Sequence, residues 1–161
     1  MDDRTRVAHE LASSWFGTGL SAHARDRLLD VSRLAAFAAG ATLMREGDEP
    51  GFLAIVAEGR VALRMAVPER GSVTILTVER GDVVGWSAIV RPHRATSTAV
   101  TTEPTTLLIL EADGLRRLLE ADLALAATLY PRLLEALGRR LTATRQQLLD
   151  LYAPEPEPVP W

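Results

Sequence analysis

The 161-residue sequence contains no cysteine, no lysine and no asparagine. Without cysteine it has no thiol nucleophile and no thiolate metal site, and without lysine it has no Schiff base and no P-loop lysine. The three histidines, His9, His23 and His93, lie far apart in the sequence and show no metal-binding spacing. These absences exclude most routes to catalysis. We therefore expect a protein that is not an enzyme and that holds no metal or cofactor of its own.

Long apolar runs and a basic charge balance are missing as well. No stretch approaches the roughly 20 apolar residues that a membrane span needs, and the N-terminal MDDRTR leads into no signal sequence. The formal net charge is -3 at pH 7, whereas domains that bind nucleic acid usually carry a basic face. The sequence therefore predicts a cytoplasmic protein that binds neither a membrane nor DNA.

The residue pattern divides the chain into four parts. Residues 1–39 are alanine-rich with apolar residues at helical spacing, whereas 40–110 hold short runs of Val, Ile, Leu and Thr between glycines. The second pattern predicts antiparallel strands of a sandwich or barrel near 52–57, 60–67, 72–78, 82–84, 96–101 and 105–110. Residues 111–152 return to a helical pattern, with a short helix before a long one. A proline-rich tail follows at 153–161, for which polyproline II or disorder is expected.

A narrow apolar stripe runs along the long helix, which the pattern places at about 123–152 with a kink or a restart at Pro131. Its leucines are separated by steps of three, four and seven residues, with Thr144 completing the repeat: Leu134, Leu137, Leu141, Leu148 and Leu151. Such a stripe is typical of a coiled coil, so we expect these five leucines to form the dimer seam of a homodimer. Packing of the stripe on the chain's own barrel is the alternative.

The order of these features resembles a known family. A series of residues in this sequence resembles the glycine pattern of the cyclic-nucleotide-binding domain: Gly40, Leu43, EGD at 46–48, Leu53, Val56, Gly59, Val61, Gly81, Asp82 and Gly85. The segment GRRLTAT at 138–144 resembles a run in catabolite activator-type regulators. The resemblance, over roughly residues 20–152, implies an α+β fold: an antiparallel β jelly-roll barrel with an N-terminal helix and a long C-terminal dimerisation helix. Too few residues follow Tyr152 for an activator's winged helix-turn-helix, so we expect a stand-alone domain without a DNA-binding domain.

In that family the nucleotide lies in a phosphate-binding cassette, which the resemblance places at residues 85–100. A glutamate there accepts from the ribose, and an arginine pairs with the phosphate. Here the glutamate position is Trp86, and the arginine position falls on Ala95, one residue after Arg94. Arg91 is a second candidate for the phosphate. From the resemblance and from the residues of this sequence, we expect these residues to bind the ligand: Gly85, Trp86, Ser87, Arg91, Arg94, Thr96, Ser97, Thr144 and Arg145.

Two functions remain open from the sequence. The first is a regulatory module that senses a small anionic ligand, a cyclic nucleotide or a related molecule, in an atypical pocket and signals to a protein partner through its dimer helix. Trp86 is then a stacking platform for a planar ligand. The alternative is a ligand-free interaction module whose pocket is blocked by Trp86, with the dimer and the tail at 153–161 docking a partner.

Overall fold

The computed structural model describes residues 2–152, apart from the side chains of Leu151 and Tyr152. The predicted tail at 153–161 and the predicted seam contact of Leu151 lie outside the described residues. The helices are α1 (Asp3–Ser13), α2 (Ala22–Leu29), α3 (Ala112–Ala121) and α4 (Leu123–Tyr152). The strands are β1 (Ser32–Phe37), β2 (Thr42–Met44), β3 (Phe52–Glu58), β4 (Arg60–Val67), β5 (Gly71–Glu79), β6 (Val83–Val84), β7 (Thr98–Thr101) and β8 (Thr105–Glu111).

The strands form two antiparallel four-stranded sheets, in the orders β1-β8-β3-β6 and β2-β7-β4-β5. This arrangement, with helices before and after it, confirms the predicted jelly-roll barrel with a long C-terminal helix. None of the described helices is both long and apolar enough to cross a membrane.

The first sheet is buried on both faces, which explains why β3 reads FLAIVA without polar alternation. Successive side chains of a strand point to opposite faces. Leu53 and Ile55 accordingly pack with the helices, whereas Ala54 and Val56 pack inside the barrel. The sheet thus separates an inner core between the two sheets from an outer core beneath the helices.

The N-terminal helices cover the outer face of that sheet. The Asp2 side chain caps α1 by accepting from the Thr5 amide at 2.8 Å, and this hydrogen bond lowers the pKa of Asp2. The Ser21 hydroxyl caps α2 by accepting from the Ala24 amide, 3.2 Å away, a position at which serine is favoured. Both helices therefore begin at residues whose side chains satisfy free backbone amides.

The helical prediction for residues 1–39 is wrong in its last part, because 32–37 form β1. This strand pairs with β8 along its whole length, from Ser32 opposite Leu110 to Phe37 opposite Thr105. The sheet hydrogen bonds override the helical propensity of the alanines in this segment. The short strand β2 is likewise absent from the sequence prediction.

The long helix α4 passes through Pro131 without a restart. Proline deprives the helix of one backbone hydrogen bond, but Leu129 and Leu133 on either side are almost fully buried in the outer core. Their packing holds the helix on the barrel across the proline. As a result, one continuous helix connects the outer core to the region beside the cassette.

Candidate functional site

The cassette begins at Gly85, whose backbone has a φ of 73°. A Cβ atom at this position would lie 2.5 Å from the Phe52 carbonyl oxygen and 2.7 Å from the Met44 methyl carbon. Both the left-handed conformation and the lack of space therefore require glycine. From Gly85 the chain enters a short 3-10 turn, Trp86–Ala88, in which Ser87 is buried.

A cavity of about 400 Å³ lies between the cassette, the second sheet and α4. This volume falls within the roughly 300–1,000 Å³ of small-molecule sites. Most of its wall is apolar, with a few hydroxyl groups and one guanidinium. It is lined by Met44, Leu63, Ile75, Leu76, Val84, Gly85, Trp86, Ser87, Ala95, Thr96, Ser97, Leu137, Arg140, Leu141 and Thr144.

A bulge in the β4–β5 pair shapes one wall of the cavity. Leu63 pairs with Leu76 and Arg64 pairs with Thr74, so Ile75 is an extra residue on β5. Such a bulge changes the direction in which neighbouring side chains point. Two consecutive residues, Ile75 and Leu76, consequently both line the cavity.

Trp86 is half-buried and packs partly against the outer core. It also lines the cavity. The tryptophan therefore forms part of the cavity wall.

The structure brings six of the predicted ligand residues to the cavity wall: Gly85, Trp86, Ser87, Thr96, Ser97 and Thr144. Arg91, Arg94 and Arg145 are exposed and lie outside this wall. Nη1 of Arg94 instead donates to the Gly47 carbonyl oxygen at 3.0 Å. Contact of these three arginines with a ligand stays a prediction.

Arg140 is the charged residue among the lining residues that the sequence prediction missed. Its guanidinium donates through Nη2 to the Val83 carbonyl oxygen. Burial lowers the pKa of Arg140, while the nearby Asp82 carboxylate acts in the opposite direction. Residues four apart share one helix face, so the spacing between Arg140 and Thr144 is the signal that places both on the cavity side.

The predicted dimer seam leaves most of its leucines exposed within one chain. Leu134 is 68% exposed, and Leu141 and Leu148 are each 51% exposed. Leu137 is half-buried and lines the cavity together with Leu141. A different face of α4, which includes Leu129 and Leu133, packs on the barrel. The homodimer itself stays a prediction.

Comparison with known proteins decides the family of this fold. Residues 34–122 match the sequence profile described as "Cyclic nucleotide-binding domain". The chain belongs to this family. Cyclic nucleotide-binding domains are regulatory rather than catalytic, which agrees with the scarcity of catalytic groups in the sequence. None of the curated protein sequences compared with the chain matches it.

Solved structures of cyclic nucleotide-binding domains share the fold. One from Methylobacillus flagellatus superposes with a TM-score of 0.81 and 22% identity, over 96% of this chain and 89% of that one. A putative cyclic nucleotide-binding protein from Geobacter metallireducens superposes with a TM-score of 0.74 and 23% identity, over 88% of this chain and 99% of that one. The Thermus thermophilus catabolite activator protein superposes with a TM-score of 0.65 and 25% identity, over 86% of this chain and 63% of that one. The resemblance to activator-type proteins is thereby confirmed at the level of fold.

This cyclic nucleotide-binding domain has no carboxylate in its cavity wall within the described residues. The position at which the family resemblance expects a glutamate carries Trp86 instead. A ribose hydroxyl placed here meets hydroxyl groups and an indole ring rather than an anionic acceptor.

Proposed function

We propose that the chain is a non-enzymatic regulatory module that binds a small anionic, nucleotide-like ligand and signals to a protein partner through α4. The observation that supports this function is the cavity of about 400 Å³ beside Trp86. Its walls come from the cassette on one side and from α4 on the other. A ligand in it therefore touches the binding loop and the signalling helix at once.

Side chains on α4 couple the cavity to the proposed dimer seam. Leu137 and Leu141 belong to the predicted seam and also line the cavity, and Leu141 is 51% exposed to solvent. A ligand that contacts these residues changes the position of α4 only if its affinity differs between two positions of the helix. The exposed stripe on α4 then meets a second copy of the chain in a homodimer, and the altered dimer presents a changed surface to the partner.

A ligand-free interaction module is the second candidate, and the packing of Trp86 against the outer core favours it. In this function Trp86 is a structural side chain that closes the site, and α4 and the dimer provide the docking surface. The two functions differ in one measurable property, which is saturable binding in the cavity.

The test is a calorimetric titration of the full chain with cAMP, cGMP and cyclic dinucleotides, accompanied by thermal unfolding. At a concentration of about 100 times Kd, a ligand stabilises the native state by about 2.7 kcal/mol, which raises the Tm by roughly 5–10 °C. Sensing predicts heat and a raised Tm with at least one compound. No heat and no Tm change with any compound would contradict it and favour the ligand-free module.

A further inference from the structure

We infer that the ligand is a monoanion with a flat ring body, and that Arg140 of α4, rather than an arginine of the cassette, pairs with its charge. This inference rests on the proposed function, because it assumes that the cavity is the binding site. The inference extends the proposed function by naming the group that binds the anion, and it limits the ligand to one negative charge.

The first argument is the charge of the cavity wall. Among the described residues that line the cavity, Arg140 is the one charged side chain, and the others are apolar or carry hydroxyl groups. A charge in an apolar site is costly unless it is paired. One cation therefore matches one anionic group, and a second negative charge on the ligand finds no partner in this wall.

The second argument is the hydrogen bonding of Arg140. Its guanidinium carries five N–H donors, and one nitrogen donates to the Val83 carbonyl oxygen. No ion pair joins Arg140 to a carboxylate within residues 2–152. Arg140 is half-buried, so its charge is partly removed from water; this burial lowers its pKa, and the Asp82 carboxylate opposes the shift. The remaining donors suit a bidentate contact with a carboxylate or a phosphodiester.

The third argument is the position of the cassette arginines. Arg91 and Arg94 are exposed, and Arg94 donates to the Gly47 carbonyl oxygen. Ion pairs between groups in full contact with water contribute little, because solvent screens them. An anion inside the cavity gains more from Arg140, which lies in the wall itself.

The fourth argument concerns the ligand body. The aromatic side chain of Trp86 lines the cavity, and Leu76 and Leu137 add apolar surface. The Thr96 hydroxyl can donate to or accept from polar atoms of a ring. The Thr144 hydroxyl donates to the Arg140 carbonyl oxygen at 2.9 Å and is therefore left to accept from the ligand. Cyclic phosphodiesters of nucleosides and aromatic carboxylates both combine a flat ring with one negative charge.

The experiment measures affinities by calorimetry for probes that differ in charge. The probes are cAMP and cGMP, the aromatic carboxylate 2-naphthoate, uncharged adenosine, and AMP, whose phosphate carries about −1.5 to −2 at pH 7. They are titrated into the wild-type chain and into the Arg140→Gln, Arg94→Gln and Arg139→Gln variants. Arg139 is the matched control, because it is the exposed neighbour of Arg140 and its loss changes the net charge equally.

The inference predicts that Arg140→Gln weakens binding of the monoanion by about 10- to 100-fold. The same substitution is expected to change the affinity for adenosine by no more than about twofold. Arg94→Gln and Arg139→Gln are expected to change the affinity for the monoanion by no more than about twofold. Comparison of cAMP and cGMP with 2-naphthoate then shows whether the anion is a phosphodiester or a carboxylate. Should Arg140→Gln fail to fold, Arg140→Lys retains the charge without the bidentate geometry, and its predicted loss is smaller but measurable.

Three results overturn the inference. The inference is contradicted if adenosine binds as tightly as the monoanions, if AMP binds more tightly than cAMP, or if Arg94→Gln rather than Arg140→Gln lowers the affinity for the monoanion. Each of these results would still show that the chain binds a ligand. If no probe binds to the wild-type chain, the proposed function fails and the inference fails with it.

Discussion

Alanine at Gly85 is expected to destabilise the protein more than alanine at Gly71, although the two glycines have nearly the same backbone conformation. Their φ angles are 73° and 72°, so a Cβ costs both about 1–2 kcal/mol in the left-handed region. Their surroundings differ. A Cβ at Gly71 meets no atom within 4 Å, whereas one at Gly85 lies 2.5 Å from the Phe52 carbonyl oxygen.

The difference between the two variants isolates this close approach. Phe52 lies in β3, which is held by pairing with β8, so its carbonyl group cannot move without disturbing the sheet. Overpacking of this kind typically costs about 1–3 kcal/mol. Gly71→Ala is therefore expected to lose about 1–2 kcal/mol, and Gly85→Ala about 2–5 kcal/mol. The change that alanine makes to the entropy of the unfolded chain is similar at both sites and cancels.

The assay is urea unfolding of the wild-type chain and both variants, followed by circular dichroism. The two free energies of unfolding are expected to differ by at least about 1 kcal/mol, with similar m-values. Binding of any ligand found for the wild-type chain is also expected to weaken in Gly85→Ala and to persist in Gly71→Ala. Equal losses of stability would refute the argument that Gly85 fixes the start of the cassette by its lack of a side chain.

Two further predictions concern α4. Nη1 of Arg132 donates to three backbone carbonyls of the loop between α1 and α2, at 3.2, 3.1 and 2.6 Å. Arg132→Met is therefore expected to lower the free energy of unfolding, measured in urea, by about 1.5–3 kcal/mol. A loss no larger than that of Arg139→Met, at an exposed position of the same helix, would contradict this anchoring role. Leu134→Glu is expected to convert the proposed homodimer into a monomer in sedimentation-velocity experiments, because it places a charge in the dimer seam. Leu149→Glu, at an equally exposed position outside the seam, is expected to leave the dimer intact, and dissociation by both variants or by neither would exclude the seam as the interface.

The strands between the glycines could be predicted because their apolar runs are short and are separated by turn residues. The segment FLAIVA is too apolar for a sheet with one face in water, and the structure buries it between the two cores. β1 could not be predicted, because the alanines of SRLAAF favour a helix in isolation. Its strand conformation depends on pairing with β8, which lies more than 60 residues away in the sequence.

The candidate site was only partly accessible to sequence reasoning. The family resemblance, carried in part by the order of the glycines, places the cassette at Gly85, where the structure has a left-handed backbone conformation. The choice between two consecutive arginines, Arg139 and Arg140, depends on how α4 is rotated against the barrel, and that rotation follows from the packing of Leu129 and Leu133. The extra residue Ile75 in the β4–β5 bulge likewise has no signature in the sequence.

The central claim is that a ligand enters the cavity between the cassette and α4. It is tested most directly by nuclear magnetic resonance, with the full chain titrated with cAMP, cGMP and cyclic dinucleotides. The account predicts saturable shifts of the Trp86 indole and the Gly85 amide, together with the amides of α4 around Arg140. The indole of Trp15, which donates to the Gly81 carbonyl oxygen on another side of the barrel, is expected to shift little. Absence of saturable shifts with every compound, or shifts that leave Trp86 and Gly85 unchanged, would contradict the claim.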